Sequence, residues 1–216
     1  MLFRDRAEAG RILSRELLDT VPELRTEPVT VLAIPRGGVP VAAPIALLLR
    51  APLDVFIARK LGAPGREELA IGAVAADGTR VIDHELVRVL HVSESYIEKI
   101  TEREIEEAQR RLALFRGARP PPPVRGRAVI LVDDGLATGA TAHAALAVLR
   151  AEKPLRLVFA APVASAEGAE SVASLGVSTV FAAIPKHFQG VGEWYEEFSQ
   201  TSDEEVLALL SAVNDQ

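Results

Sequence analysis

Short apolar runs rich in valine and isoleucine alternate along this chain with segments whose apolar residues recur at helical spacing. The runs lie at 29–34, 53–59, 70–76, 128–134, 155–162 and 177–184, and the helical segments lie at 39–50, 87–116, 139–152, 166–175 and 202–213. This alternation predicts an α/β fold with a single, mainly parallel sheet flanked by helices. Residues 129–132 and 157–161 are apolar without polar alternation, which is typical of central strands covered on both faces.

Three further segments complete the predicted organisation. Near the start, a helix is expected to place Phe3, Ala7, Ile12 and Leu17 near one face, with Asp5 at its N-cap. Residues 93–116 read as a solvated helix with a narrow apolar stripe and charged residues on its other faces. The four prolines at 120–123 predict a stiff extended connector within one domain, because the strands on both sides are needed for the sheet.

Composition and charge narrow the classes of protein. The 216 residues include no cysteine, which excludes a disulfide framework, a thiolate metal site and a cysteine nucleophile. The net charge is −6. No apolar run approaches the ~18 residues of a spanning helix, and the first twenty residues lack a secretory signal pattern. We therefore expect a cytoplasmic protein without membrane contact. The acidic balance also argues against nucleic-acid binding.

The segment at 129–141, VILVDDGLATGAT, carries the clearest chemistry. A buried strand would deliver Asp133 and Asp134 to its carboxyl end, where open α/β sheets bind ligands. The small-residue loop that follows, with Thr138 and Thr141, opens a helix near Gly139. Unpaired N–H groups at such a turn bind anions, typically phosphate. Two carboxylates suit sugar hydroxyls or a divalent cation better than they suit a phosphate. Since the turn suits a phosphate and the carboxylates suit a sugar, the implied ligand is a phosphorylated sugar.

This segment resembles the 5-phosphoribosyl-1-diphosphate (PRPP) signature of the type I phosphoribosyltransferases. The resemblance implies that Asp133 and Asp134 bind the ribose hydroxyls. It also implies that the loop after them binds the 5′-phosphate, through Ala137, Thr138, Gly139, Ala140 and Thr141. An ordinary strand-to-helix turn would leave the acidic pair unexplained. A phospho-receiver domain would need a later strand-end aspartate, but the next one is Asp203 on the final helix, and no Walker loop occurs.

A second candidate phosphate site follows the first predicted strand, in PRGG at 35–38. Pro35 ends the strand, Gly37 and Gly38 free the backbone, and Arg36 has a planar donor fork suited to phosphate oxygens. Family members carry a pyrophosphate-binding loop at this place. The resemblance therefore implies pyrophosphate binding by Arg36, Gly37 and Gly38.

A third candidate lies in the segment 57–74, where we predict a flexible loop with Arg59, Lys60 and Arg66 between two strand-like segments. The family closes such a loop over the reacting sugar, which excludes water. Lys60 is the preferred cation there, with Arg59 and Arg66 as alternatives.

Aromatic residues are concentrated at 184–200, in IPKHFQGVGEWYEEFSQ. In the family a variable hood forms the acceptor site, so Phe188 and Trp194 are candidates for stacking on a flat base. The alternative is that these aromatics anchor the terminal helix to the core. The histidines show no metal-ligand spacing and are expected to be surface or packing residues.

Taken with FRDRAEAG, RKLGAP, ELAIGAV and VGEWYEEFSQ, the resemblance covers nearly the whole chain. It implies one domain over 1–216 with a type I phosphoribosyltransferase-like fold: a core at about 20–180 and a small C-terminal hood at about 181–200 beside the N-terminal helix. It further implies phosphoribosyl transfer from PRPP to a small nitrogen acceptor, with Mg²⁺ held through pyrophosphate, ribose and the Asp133–Asp134 pair, in a homodimer. In this hypothesis Asp133, Asp134, Arg36 and Lys60 are the catalytic residues. The alternative is a non-catalytic PRPP-binding regulatory module.

Overall fold

Helices and strands alternate along most of the computed structural model, which describes residues 2–117 and 119–215 and, for Glu68, the backbone only. In chain order the elements are α1 (Arg6–Thr20), β1 (Val29–Ala33), α2 (Gly38–Leu49), β2 (Leu53–Val55), β3 (Ala58–Ala63), β4 (Arg66–Ala75), β5 (Arg80–Ile82), α3 (His84–Val89), α4 (Glu94–Arg116), β6 (Ala128–Val132), α5 (Ala140–Ala151), β7 (Arg156–Val163), α6 (Ala166–Ala173), β8 (Ser178–Ala183) and α7 (Asp203–Asn214). Short 3₁₀ turns lie at Pro22–Arg25 and Val191–Trp194.

Five strands form the predicted parallel sheet, in the spatial order β2-β1-β6-β7-β8. Every residue of β1 and β6 is buried, as expected for central strands with helices on both faces. Leu32 lies opposite Leu131, and Leu131 opposite Phe159. This register aligns the carboxyl ends of β1 and β6, so the segments that follow these two strands emerge side by side.

The two faces of this sheet contact different helices. On one face Val31, Ile130 and Val158 pack with residues of α1, α2 and α7, and on the other Leu32, Leu131 and Phe159 pack with residues of α5 and α6. Successive residues of a strand point to opposite faces, which explains the division. The fold class predicted from the sequence is confirmed.

A second, antiparallel sheet of β3, β4 and β5 was not predicted. The expectation of a flexible loop between the strand-like runs 53–59 and 70–76 was wrong, because β3 and β4 form a hairpin there, with Lys60 opposite Ala73. The run predicted as one strand at 53–59 is divided between β2 and β3. Helix α4 covers the small sheet, since Ile100 packs with Leu61, Ile71 and Val74.

The N-terminal segment pairs with the region before α7. The Phe3 N–H donates to the Trp194 carbonyl across 2.8 Å, and the Phe3 and Tyr195 rings lie 5.5 Å apart. Asp5 caps α1 as predicted, accepting from the Glu8 N–H. The buried face of α1 comprises Ala9, Gly10, Leu13, Ser14 and Leu17, so only Leu17 of the predicted helical positions belongs to it.

The connector between α4 and β6 is fixed against the large sheet. The Thr30 hydroxyl donates to the Pro123 carbonyl across 2.7 Å, and Arg127 donates to the Val29 carbonyl across 2.6 Å. The segment therefore links neighbouring parts of the same structure. Within the described ranges, no helix is long and apolar enough to cross a lipid bilayer.

Candidate functional site

The acidic pair directly follows β6. Strand β6 is buried along its whole length, and the Asp133 N–H donates to the Ala160 carbonyl of β7 across 3.2 Å. The Asp134 N–H donates to Asp133 Oδ1 across 2.9 Å, which orients the first carboxylate. Both carboxylates thus lie at the carboxyl edge of the sheet, where ligands bind in folds of this type.

Asp133 is held in an environment that disfavours its charge. Burial, reinforced by the neighbouring Asp134 carboxylate, raises the pKa of Asp133 well above its ordinary value. Removing a carboxylate from water destabilises its ionised form, and a second negative charge nearby acts in the same direction. A ligand that donates hydrogen bonds to Asp133 would therefore relieve an unfavourable charge.

Asp134 is held by Arg6, the first residue of α1. Arg6 Nε lies 2.8 Å from Asp134 Oδ2, and the two side chains are 11% and 17% exposed. Arg6 also donates to the Ser199 carbonyl across 2.7 Å, and its guanidinium carbon lies 4.0 Å from the centroid of the Phe198 ring. No sequence pattern indicates Arg6 as a site residue, because 128 residues separate it from Asp134.

Tyr195 supports the same loop from the other side. Its hydroxyl donates to the Asp134 carbonyl across 2.6 Å. Burial, followed by the charge of Asp134, raises the pKa of Tyr195 above its ordinary value. The tyrosine is therefore a neutral donor that fixes the backbone of the acidic pair.

The loop from Gly135 to α5 is closely packed on its inner side. A Cβ on Gly135 would collide with the side chain of Val191, and one on Gly168 with the Ala137 carbonyl. Gly139 precedes α5 with φ of 78° and provides no side-chain cap. The first N–H groups of the helix can therefore donate hydrogen bonds to a bound anion. Ala137 and Thr138 are exposed.

The PRGG loop lies directly against the acidic pair. The Ile34 N–H donates to the Val132 carbonyl across 2.8 Å. A Cβ on Gly37 would collide with the Asp134 carboxylate, and one on Gly38 would lie 2.6 Å from the Val132 carbonyl oxygen. Both glycines are therefore required by close approach. The predicted phosphate loop and the predicted ribose loop are in contact.

One cavity of about 620 Å³ joins the predicted elements. Of the predicted residues, those that line it are Gly37, Arg59, Lys60, Asp133, Asp134, Ala140 and Thr141. Arg36, Gly38, Arg66, Ala137, Thr138 and Gly139 lie outside this lining. The Arg36 side chain instead lines an adjoining cavity and pairs with Asp203 Oδ1 at 3.3 Å.

Helix α4 supplies lining residues from faces that its sequence pattern predicts to be solvated. Arg103, Glu104 and Arg111 line the cavity. Glu104 is buried and accepts from Arg59 at 2.8 Å and from Arg103 at 2.9 Å. The available signal was the register of Glu104, which is four residues from both Ile100 and Ala108 on the apolar stripe. A charge within a buried stripe indicates a specific partner.

Phe188 and Trp194 lie away from this cavity. They pack with Phe3, Val163 and Tyr195, in the region where the N-terminal segment meets β7. Their assignment to the acceptor stays a prediction. In the described ranges no group of three or more His, Asp or Glu side chains could hold a metal ion.

Comparison with known proteins assigns the family. Residues 4–193 match the phosphoribosyl transferase domain family, and the chain belongs to it. A Mycobacterium tuberculosis protein described as "Putative phosphoribosyl transferase" in both strains compared is 43% identical over 209 residues, which are 97% of this chain and 46% of that protein. The chain thus spans about half the length of the curated relatives it matches.

Two solved structures resemble the chain. The crystal structure of TT1426 from Thermus thermophilus has a TM-score of 0.88 and 41% identity, covering 97% of this chain and 98% of that one. A Neisseria gonorrhoeae protein with bound ppGpp has a TM-score of 0.51 and 13% identity over 98% of both chains. The second comparison is a likeness of fold alone.

Proposed function

We propose that this domain transfers a 5-phosphoribosyl group from PRPP to a small nitrogen acceptor and releases pyrophosphate. One observation carries the proposal: a single cavity is lined by Asp133 and Asp134, the start of α5, Pro35 and Gly37 of the PRGG loop, and Lys60. These are groups for ribose hydroxyls, a terminal phosphate and a diphosphate. The family assignment supports the same activity.

The acidic pair would bind the ribose. Sugar hydroxyls donate hydrogen bonds to carboxylates, and Asp133 lies where such donors would offset the cost of its charge. As the bond to pyrophosphate breaks, the sugar carbon acquires positive charge, which two fixed carboxylates stabilise. This reaction needs no protein nucleophile, in agreement with a chain that has no cysteine.

The 5′-phosphate and the diphosphate of the donor would bind at different groups of lining residues. The first N–H groups of α5, at Ala140 and Thr141, would hold the 5′-phosphate. Lys60, with Arg59, Arg103 and Arg111, would lie near the diphosphate and stabilise its charge as it leaves. The Gly37 and Gly38 backbone would approach the same group closely, as the family pattern implies.

A magnesium ion fits this site only together with the substrate. The described residues offer two adjacent carboxylates and no group of three protein ligands, and Mg²⁺ commonly binds through one or two carboxylates plus substrate phosphates. When bound, the ion would neutralise charge on the diphosphate. Asp133 and Asp134 are the residues that would hold it.

The test is PRPP-dependent release of pyrophosphate, measured with a panel of purines, pyrimidines and other nitrogen heterocycles. We expect Asp134→Asn to lower the rate by about 10²–10³, the effect of removing one electrostatic contact at a transition state. The matched control is Asp19→Asn, since Asp19 is 78% exposed and pairs with Arg25 at 3.7 Å. Equal rates for Asp134→Asn and the unaltered protein would refute the site.

Calorimetric titration with PRPP and Mg²⁺ separates the alternative function. A non-catalytic regulatory module would bind PRPP and release no pyrophosphate with any acceptor. A protein that binds no PRPP belongs to neither class.

A further inference from the structure

A second cavity adjoins the one assigned to PRPP. It has a volume of about 590 Å³, within the range of small-molecule sites. Pro35, Gly37, Arg111 and Asp134 line both cavities. A molecule in the second cavity would therefore contact the same carboxylate, Asp134, that the proposed function assigns to the ribose.

The second cavity is positively charged although the chain is acidic. Arg6, Arg36, Arg110 and Arg111 line it, against the carboxylates of Asp134 and Asp203. Four positive and two negative charges leave an excess of two. Glu107 lies outside the lining and pairs with Arg110 and Arg111, each at 2.8 Å. Including Glu107 still leaves an excess of one positive charge at this cavity, in a chain whose net charge is −6.

These arginines keep donors for a ligand. A guanidinium has five N–H donors, and the hydrogen bonds of Arg36 and Arg111 each use one nitrogen, through Nη1 and Nε. Arg110 binds Glu107 through Nε and Nη2. A planar donor fork of this kind matches a carboxylate or a phosphate.

PRPP does not account for this charge. The first cavity already has Lys60, Arg59 and Arg103 for a diphosphate, whereas Arg36 and Arg110 line only the second cavity. We propose that the second cavity binds an anionic substituent, a carboxylate or a phosphate, on the nitrogen acceptor. The Arg36 guanidinium therefore serves the acceptor here, in place of the pyrophosphate role that the family resemblance implies. The inference rests on the proposed function, because the acceptor must approach the ribose held at Asp134.

The first experiment is a calorimetric titration of inorganic phosphate into the protein saturated with PRPP and Mg²⁺. We expect phosphate to bind while PRPP is present, and Arg110→Gln to weaken this binding by about tenfold or more, the effect of one charged hydrogen-bonding partner. Arg110 suits the test because its side chain is 61% exposed. Arg25→Gln, at a side chain 55% exposed and remote from both cavities, is the control.

The second experiment compares matched ligands on the PRPP-saturated protein: uracil with 6-carboxyuracil, and nicotinamide with nicotinate. We expect a charged member to bind about tenfold more tightly than its neutral partner, and Arg110→Gln to remove that difference. Equal binding within each pair, or no binding by either charged ligand, overturns the assignment to the acceptor. Phosphate that is displaced by PRPP, or that binds Arg110→Gln unchanged, overturns it as well.

Failure of the proposed function would look different. PRPP itself would then show no heat of binding. Phosphate titrated into the PRPP-free protein and into Arg110→Gln would still show whether Arg110 belongs to an anion site.

Discussion

Arg6 Nε donates to Asp134 Oδ2 across 2.8 Å, joining the first turn of α1 to the end of β6. The same guanidinium lies over the Phe198 ring and donates to the Ser199 carbonyl. The orientation of Asp134, which is predicted to bind the ribose, thus depends on residues near both ends of the chain. The N-terminal helix is part of the site as well as part of the core.

Replacing Arg6 with glutamine should destabilise the fold. The change leaves the 17% exposed Asp134 carboxylate without its ionic partner, so we expect the free energy of unfolding to fall by about 2–4 kcal/mol. Urea denaturation measures the loss. Arg4→Gln is the control, because Arg4 is 59% exposed and should change stability by less than about 1 kcal/mol. Similar losses for both variants would contradict the prediction.

Replacing Gly37 with alanine should weaken PRPP binding. The added methyl group would collide with the Asp134 carboxylate and displace it from the position that the ribose needs. We expect a loss of stability of about 1–3 kcal/mol and at least a tenfold loss of PRPP affinity by calorimetry, about 1.4 kcal/mol. Gly190→Ala is a matched control, since a Cβ there meets nothing within 4 Å. Tight PRPP binding by Gly37→Ala would argue against the assigned position of the ribose.

The raised pKa of Asp133 has a consequence for stability against pH. A carboxyl group whose pKa is higher in the folded state holds its proton more tightly there, so folding loses stability as the pH rises from the ordinary aspartate value to the raised one. Asp133→Asn should therefore increase the free energy of unfolding at neutral pH, with the gain shrinking as the pH falls from the raised pKa to the ordinary aspartate value of about 3.9. Denaturation of substrate-free protein at several pH values tests this, and a constant difference between the two proteins would refute it.

Removing the charge of Lys60 should slow pyrophosphate release without unfolding the protein. Lys60 lines the first cavity from β3, and the loss of one contact to a leaving group costs about 10²–10³ in rate. Lys60→Gln and the exposed control Lys186→Gln can be compared at saturating PRPP. The assignment of Lys60 fails if both variants turn over at the same rate.

Local patterns predicted the parallel sheet and its acidic loop well. Strand β6 is a continuous apolar run followed by two aspartates and a small-residue loop, so its burial and its direction toward a ligand follow from neighbouring residues alone. The N-cap at Asp5 is equally local. The assignment of Lys60 and Thr138 to particular phosphate groups stays a prediction, because no ligand contact tests it, and so does the choice between pyrophosphate and acceptor for Arg36.

Features that depend on distant contacts were harder to predict. The hairpin of β3 and β4 carries charges and glycines typical of a loop, and it becomes a sheet because α4 covers one side. Arg6 and Asp134 are far apart in sequence, and no local pattern indicates their pairing. The contributions of Arg103 and Arg111 depend on the rotation of α4 about its axis, which apolar periodicity defines only approximately.

Helix α4 belongs to two hydrophobic clusters at once. Ile100 packs with the hairpin, whereas Ala108 and Phe115 pack with the main core. Elements that share a core open together in native-state fluctuations, so the hairpin cannot detach as an independent flap without exposing part of α4. A motion that opens the hairpin over the cavity is therefore expected to carry the N-terminal part of α4 with it.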